Sequence, residues 1–286
     1  MTVRIVTDST GDLPSEIVSQ YDIAVVPLKV RFGADEYLDG VTLTHDDFYE
    51  KLSTSRDMPS TSQPSAGEFA EVYRNVGEGS DGIVSIHISG KLSGTFNSAS
   101  QAAREPAMPC PVRVIDTESA SMGLGLVVLE AAKAARDGAD LDTVAAIAAD
   151  ASKRCHCIAM LDTLEYLQRG GRIGKVRALL GTVLSIKPLI VVRDGEVHEL
   201  GMERTHRRAL AKLENTALEH ARARYFAVMY STARDEAEAL AKRLECAVPD
   251  CEQVFIAQFG PTVGTHVGPN ALGVGILDRP PVGVSA

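Results

Sequence analysis

The sequence predicts an α/β protein of two domains, the first built on a parallel sheet and the second on a mixed one. Through the first half, short Val- and Ile-rich runs bounded by Asp, Gly or Pro alternate with helical stretches, and strand then helix, repeated, implies parallel strands. In the second half Asp194-Gly195 sits between two apolar runs and marks a hairpin, hence an antiparallel pair. The 286 residues also exceed the ~250 at which a single core stops growing. A change of composition divides the chain into residues 1–154 and 155–286, with the last segment free to return to the junction.

The first expected strand, residues 3–7, runs into Thr7-Asp8-Ser9-Thr10-Gly11-Asp12. That is the strand end where open α/β sheets place ligands, and the same residues equally suit a cap and turn before Leu13-Pro14. Residues 23–30 form a second strand. Thr44-His45-Asp46-Asp47 and Ser65-Ala66-Gly67-Glu68 resemble capping boxes, the latter followed by Phe69, Val72, Tyr73 and Val76 at helical spacing. Between these boxes lies Met58-Pro59-Ser60-Thr61-Ser62-Gln63-Pro64-Ser65, whose prolines stiffen an extended loop that presents Thr61 and Ser62.

Strand 82–88 leads through Ser89-Gly90-Lys91-Leu92-Ser93-Gly94-Thr95-Phe96-Asn97 into a helix. Glycines that admit a ligand to the backbone, with the free N–H groups of a new helix behind them, make an anion site. Ser93 stands at the cap position, either capping the helix or donating to a carboxylate or phosphate. The spacing of Gly90 and Gly94, with no Gly-Lys-Ser/Thr after them, is not that of a P-loop. Strand 111–115 follows, and Gly123-Leu124-Gly125 beyond it lacks the final glycine of a dinucleotide fingerprint.

An Ala-rich helix over 141–153 closes the first domain, and strand 155–161 opens the second. Arg169-Gly170-Gly171-Arg172-Ile173-Gly174-Lys175 is a basic glycine turn, extended by Arg177 within an apolar run over 176–186. Strands at 188–192 and 196–200, a helix at 204–221, a strand at 225–230, a helix at 233–244 and a strand at 253–258 complete the pattern. Residues 260–270 are too rich in Gly and Pro for a regular element, and His266 is their one titratable group.

A net charge of −9, from 29 Lys and Arg against 38 Asp and Glu, argues against a broad cationic face and so against nucleic acid as a partner. No apolar run approaches the ~18 residues of a membrane span. Five cysteines, an odd number, fit reduced thiols and a cytoplasmic protein. In Cys155-His156-Cys157 adjacent side chains of a strand face opposite ways, so no metal site is expected there. A Ser/His/Asp set can be assembled from Ser93, His87 and Asp8, which keeps a hydrolase or phosphotransferase built on Ser93 as the alternative function.

Taken in order, Val6-Thr7-Asp8-Ser9-Thr10, Tyr37-Leu38-Asp39-Gly40, Pro59 to Ser65, Ile88 to Phe96, Ile115-Asp116-Thr117, Arg169 to Ile173 and Gly264-Thr265-His266-Val267-Gly268-Pro269 resemble the DegV family, bacterial fatty-acid-binding proteins that serve a fatty acid kinase. The resemblance implies a cleft at the domain junction that buries a long-chain acyl tail and holds its carboxylate on Thr61 and Ser93, with His266 completing the polar network and Ser62, Gly94 and Thr95 in the supporting loops. It implies no cofactor, no catalytic residue and no metal. The partners it implies are a fatty acid and a separate kinase that makes an acyl-phosphate from ATP for phospholipid metabolism, with transient rather than inserted membrane contact. Docking on that kinase falls to Arg169, Arg172 and Lys175. Asn270 departs from the pattern, where a glycine is expected.

Overall fold

The computed structural model describes residues 1–179 and 186–281, so most of the apolar run read over 176–186 lies outside the described residues. β1 (Val3–Asp8) passes through a 3-10 turn at Ser9–Gly11 into α1 (Ser15–Gln20), and β2 (Ala24–Val26) returns parallel to β1. The single strand expected over 23–30 is in fact two. Pro27 has no N–H to give a ladder, and beyond it β3 (Lys29–Phe32) leaves the sheet to pair with β4 (Asp35–Leu38).

α2 (His45–Thr54) follows, capped by the Thr44 hydroxyl, and then β5 (Ser60–Ser62), the proline-bounded loop, which adds to β3 as a third antiparallel strand. α3 (Ala66–Gly77) begins with the full capping box of Ser65 and Glu68. β6 (Gly82–His87), α4 (Thr95–Ala102), β7 (Val112–Asp116), α5 (Met122–Arg136) and α6 (Leu141–Arg154) complete the first half. Its main sheet has the order β2-β1-β6-β7, every pair parallel.

The second half contributes β8 (Cys155–Met160), α7 (Glu165–Arg169), β9 (Lys187–Arg193), β10 (Glu196–Glu203), α8 (His206–Leu218), β11 (Ala223–Tyr230), α9 (Arg234–Ala247), β12 (Gln253–Gln258), α10 (Pro261–Val267) and β13 (Leu272–Asp278). Its sheet is mixed, β10-β9-β8-β13-β11-β12, with β11 and β12 its parallel pair.

The closing Gly/Pro stretch is a helix, against expectation. Pro261 occupies the first turn, where its missing N–H leaves no bond unmade. Gly264 sits mid-helix because a Cβ there would lie 2.6 Å from the Phe48 ring. Gly268, at φ +73°, ends it. β13 then runs between β8 and β11, buried along nearly its whole length.

Alternation along the first sheet divides its faces. Val6 and Ile83 pack with Phe69 and Tyr73 of α3 and with α4. Val3, Ile5, Val84 and Ile86 face the opposite way, onto Leu124, Val128 and the rest of α5. α5 also packs against β8, β11 and β13, so the same core continues through Ala159, Tyr225 and Met229 of the second sheet. The far face of that sheet is covered by α8 and α9. Among the described residues no helix is long and apolar enough to cross a membrane.

Candidate functional site

Thr61, Ser93 and His266 line one cavity between the two sheets, although they come from β5, the β6–α4 loop and α10. Its wall is otherwise apolar, with Leu28, Ile88, Leu167, Ile190, Phe259 and Val263 among the lining side chains. The space between its atoms, open mouth included, is ≈ 760 Å³.

The polar end is organised around His266. α10 is tied to the first half at its start: Gly260 N–H donates to Asp12 Oδ1 at 3.0 Å, Thr262 N–H to Asp39 Oδ2 at 3.2 Å, and Tyr49 O–H to the Phe259 carbonyl at 3.0 Å. One face of the helix thereby meets β5, and His266 Nε2 lies 3.0 Å from Thr61 Oγ1. Burial, and secondarily the Arg172 guanidinium, lower the His266 pKa to about 4, so the ring is neutral near pH 7. We assign the proton to Nε2, because Nδ1 is buried with no hydrogen-bond partner and an unmet acceptor is less costly than an unmet donor. In this tautomer the ring donates to Thr61 Oγ1, which leaves the threonyl O–H free to donate to a ligand. Nδ1 faces Gly170, where a Cβ would stand 2.2 Å away.

Ser93 does not cap α4. The N-cap position belongs to Gly94, and the Ser93 hydroxyl lies 2.8 Å from Thr95 Oγ1 while accepting from Thr95 N–H at 3.3 Å. Thr95 is buried beneath it. Gly94 packs against the Gln63 side chain, so the loops carrying Thr61 and Ser93 touch. Ser62 is exposed, as strand alternation requires of the neighbour of an inward Thr61. The far side of the loop is anchored to the β9–β10 hairpin: Ser89 Oγ donates to the Gly195 carbonyl at 2.7 Å, and Lys91 Nζ to the Asp194 carbonyl at 2.6 Å.

The basic turn divides into two kinds of residue. Arg172 is half-buried and lines the cavity, donating through Nε to the Leu92 carbonyl at 3.0 Å and through Nη1 to the Gly170 carbonyl at 2.9 Å. Arg169 and Lys175 are exposed, in surface ion pairs with Glu165 at 2.6 Å and Glu196 at 3.1 Å. The Arg177 side chain lies outside the described residues.

The Ser/His/Asp set assembles with a different serine. His87 Nδ1 lies 2.8 Å from Asp8 Oδ2 and Nε2 2.6 Å from Ser85 Oγ, which accepts from Tyr73 O–H at 2.8 Å. All three side chains of that set are buried, on the α3 side of the sheet, and Ser93 has no part in it.

The spacing of residues did not expose the two carboxylates beside α10. Asp12 accepts from Ser121 Oγ at 2.5 Å and Asp39 from Ser9 Oγ at 3.0 Å, in addition to their bonds to α10. Burial raises the pKa of Asp12 well above the ordinary range and that of Asp39 to about 6. Both lie in segments picked out as motifs, but their contacts to α10 reach across 248 and 223 positions.

A family model described as an uncharacterised protein of the DegV family matches residues 2–279. A DegV domain-containing protein of Streptomyces coelicolor is 39% identical over 280 residues, covering 97% of this chain and 99% of its own. Another, from Deinococcus radiodurans, is 38% identical over 280 residues, covering 96% and 98%. Among solved structures, a DegV family protein of Thermus thermophilus described by its fatty acid binding superposes with a TM-score of 0.89 at 34% identity, over 98% of this chain and 100% of that one. The DegV fatty acid binding protein of Bacillus subtilis superposes at 0.88 with 29% identity, over 98% and 100%.

Proposed function

The chain belongs to the DegV family, and from that premise we propose that it binds a long-chain fatty acid in the cavity between its sheets and presents the carboxylate to a separate kinase. One observation carries the reading: an apolar cavity ends in the Thr61–His266 pair and Ser93. Each buried methylene contributes up to about 0.8 kcal/mol, partly offset by ordering of the chain. An unsolvated carboxylate needs donors. The Thr61 and Ser93 hydroxyls supply them.

The same donors suit a carboxylate that must act as a nucleophile. Neutral hydroxyls hold it without the tight ion pair that an imidazolium or lysine would form, the neutral His266 orients Thr61 without competing for the charge, and the Arg172 guanidinium in the same wall is engaged by the Leu92 and Gly170 carbonyls. The chain then needs no catalytic residue of its own: ATP and the phosphoryl-transfer machinery come with the kinase, the acyl-phosphate passes to phospholipid metabolism, and the rim residues Arg169 and Lys175 meet the partner. Cys110, Cys155, Cys157, Cys246 and Cys251 are free thiols, which suits the cytoplasm. In this reading the division at residues 154 and 155 is a domain boundary and the cavity its junction.

A hydrolase or phosphotransferase built on Ser93 would need a base at that hydroxyl, whose partner here is Thr95. Denaturing extraction of the purified protein with mass spectrometry of the organic phase tests the proposal. A stoichiometric long-chain acid is expected. Ligand-free protein with intrinsic ATPase or esterase turnover would refute it in favour of the Ser93 enzyme.

A further inference from the structure

Away from the cavity, the second sheet brings together a histidine from the start of β8, a histidine from the α8–β11 turn and the last residue of β13. His156 Nε2 lies 3.2 Å and His220 Nδ1 2.9 Å from Asp278 Oδ2, and the three ligand atoms all fall within 4.8 Å of one another. The two imidazoles are adjacent, with centroids 4.3 Å apart and planes at 42°. The second carboxylate oxygen, Asp278 Oδ1, is buried and accepts no hydrogen bond from the protein.

We propose that His156, His220 and Asp278 form a binding site for a divalent transition-metal ion of the zinc class. Two imidazole nitrogens and one carboxylate oxygen are a donor set for Zn²⁺ or Co²⁺, whereas Mg²⁺ and Ca²⁺ favour oxygen throughout. With metal–ligand bonds near 2.0–2.2 Å, neighbouring ligand atoms of a tetrahedral site stand about 3.3 Å apart. The two distances to Asp278 Oδ2 are already close to that value, so a small opening about the carboxylate admits the ion. The backbones are fixed beforehand, because β8 and β13 are paired at His156 and Ile276 and β13 and β11 at Asp278 and Ala223. Glu219 lines the same surface cleft, open to solvent, where it or water completes the coordination.

Arg154, Arg222 and Arg279 line the same cleft, and each is already engaged: Arg154 Nη1 donates to the Asp278 carbonyl and its Nε to Asp150 at 2.7 Å, Arg222 donates to the Pro280 carbonyl at 2.8 Å, and Arg279 donates to Glu252 at 3.1 Å and to the Asp250 carbonyl at 2.6 Å. On binding, a neutral ring moves its proton to the far nitrogen, and a protonated ring releases one proton to solvent. The site joins β13 to β8 and to the α8–β11 turn, so an ion there clips the last described strand in place.

Cys155 and Cys157 cannot share the face of His156 on the strand, so its neighbours in sequence supply no ligand; the fold brings ligands from 64 and 122 positions further on instead.

The test is Co²⁺ titration of the full chain, free of any histidine tag, followed by displacement with Zn²⁺. Wild type is expected to take up one equivalent with a visible spectrum lacking a thiolate charge-transfer band, and Zn²⁺ should raise its Tm. His220→Gln and His156→Gln should each weaken uptake by at least about tenfold and abolish the Tm shift. Unchanged fatty acid content in both variants verifies that they fold. Uptake that persists equally in the variants, or that carries the thiolate band of exposed Cys246, is adventitious binding and overturns the proposal. So does the absence of uptake by wild type.

Discussion

Replacing Gly170 by alanine should disable ligand binding through His266 alone. Gly170 has φ −73° and ψ −5°, a conformation alanine adopts freely, so the substitution brings no backbone strain. The obstacle is steric: the new Cβ would lie 2.2 Å from His266 Nδ1 and 2.6 Å from Cε1. Relief requires the ring to retreat by more than an ångström, but its opposite nitrogen is 3.0 Å from Thr61 Oγ1. The imidazole must therefore press on Thr61 or swing away from it, and in either case the hydroxyl loses its orientation. A hydrogen bond to a charged group contributes roughly 1.5 to 3 kcal/mol, so fatty acid affinity should fall by tenfold or more. Overpacking at a buried site adds a stability loss of about 1 to 3 kcal/mol. Calorimetric titration of delipidated protein with palmitate measures the first effect and urea denaturation the second. Gly171→Ala is the control: at φ +70° it is strained, yet a Cβ there meets nothing within 4 Å, so it should lose stability and retain affinity. In a His266→Ala background the clash disappears, and Gly170→Ala should then have almost no further effect. Wild-type affinity in Gly170→Ala, or additive losses in the double variant, would refute the reasoning.

Ser93→Ala should lower fatty acid affinity about tenfold, while Ser9→Ala, whose hydroxyl bonds Asp39 and the Leu28 N–H, should lose about 1 kcal/mol of stability and keep its ligand; equal affinities by competitive displacement would sink the distinction. His266 has a pKa of about 4 in the folded chain against 6.5 unfolded, so the unfolded state binds more protons between those values and the histidine destabilises the fold as pH falls from 6.5 toward 4. Asp39, raised to about 6, acts in the opposite direction between pH 4 and 6, so the quantity to measure is the stability of wild type minus that of His266→Gln. It should fall by on the order of 3 kcal/mol across the window, and a difference independent of pH would mean that the ring is not held neutral by burial. Arg169→Glu should slow kinase-dependent acyl-phosphate formation at low salt with lipid retained, whereas Arg172→Glu should also lose lipid, since its guanidinium holds the Leu92 and Gly170 carbonyls. Lipid content and low-salt turnover of the two variants decide this, and turnover of Arg169→Glu equal to wild type would remove the rim from the docking surface.

The elements legible in the sequence are those with one wet side. α3 shows its stripe because one face meets Val6 and Ile83 and the other meets water, and Ser65 marks its start by a local bond. α5 gives no such signal: residues 122 to 132 are all buried, between one sheet and the other, so no period separates an inner from an outer face. α10 and β13 are hidden for a related reason. Gly264 lies in the stretch too rich in Gly and Pro to suggest a regular element, and Gly273 and Gly275 break the strand pattern of β13, yet each is small because something packs against it, Phe48 and Tyr49 in the first case, Met229 and Phe259 in the second, the Met122 backbone in the third. Their absent side chains record contacts with residues far away in sequence, and no rule of local spacing can decode them.

The site follows the same division. Thr61 and Ser93 stand in short motifs whose prolines and glycines fix the local backbone, so they can be named from spacing and chemistry. His266 becomes a partner of Thr61 only because Asp12, Asp39 and Tyr49 hold the start of α10 against the first half. None of those three groups hydrogen-bonds to Thr61 or Ser93 among the described residues, yet they set the distance on which the Thr61 hydroxyl depends. Removing the Asp39 carboxylate should therefore loosen α10 and weaken ligand binding at a distance, through His266 rather than through a contact with the ligand.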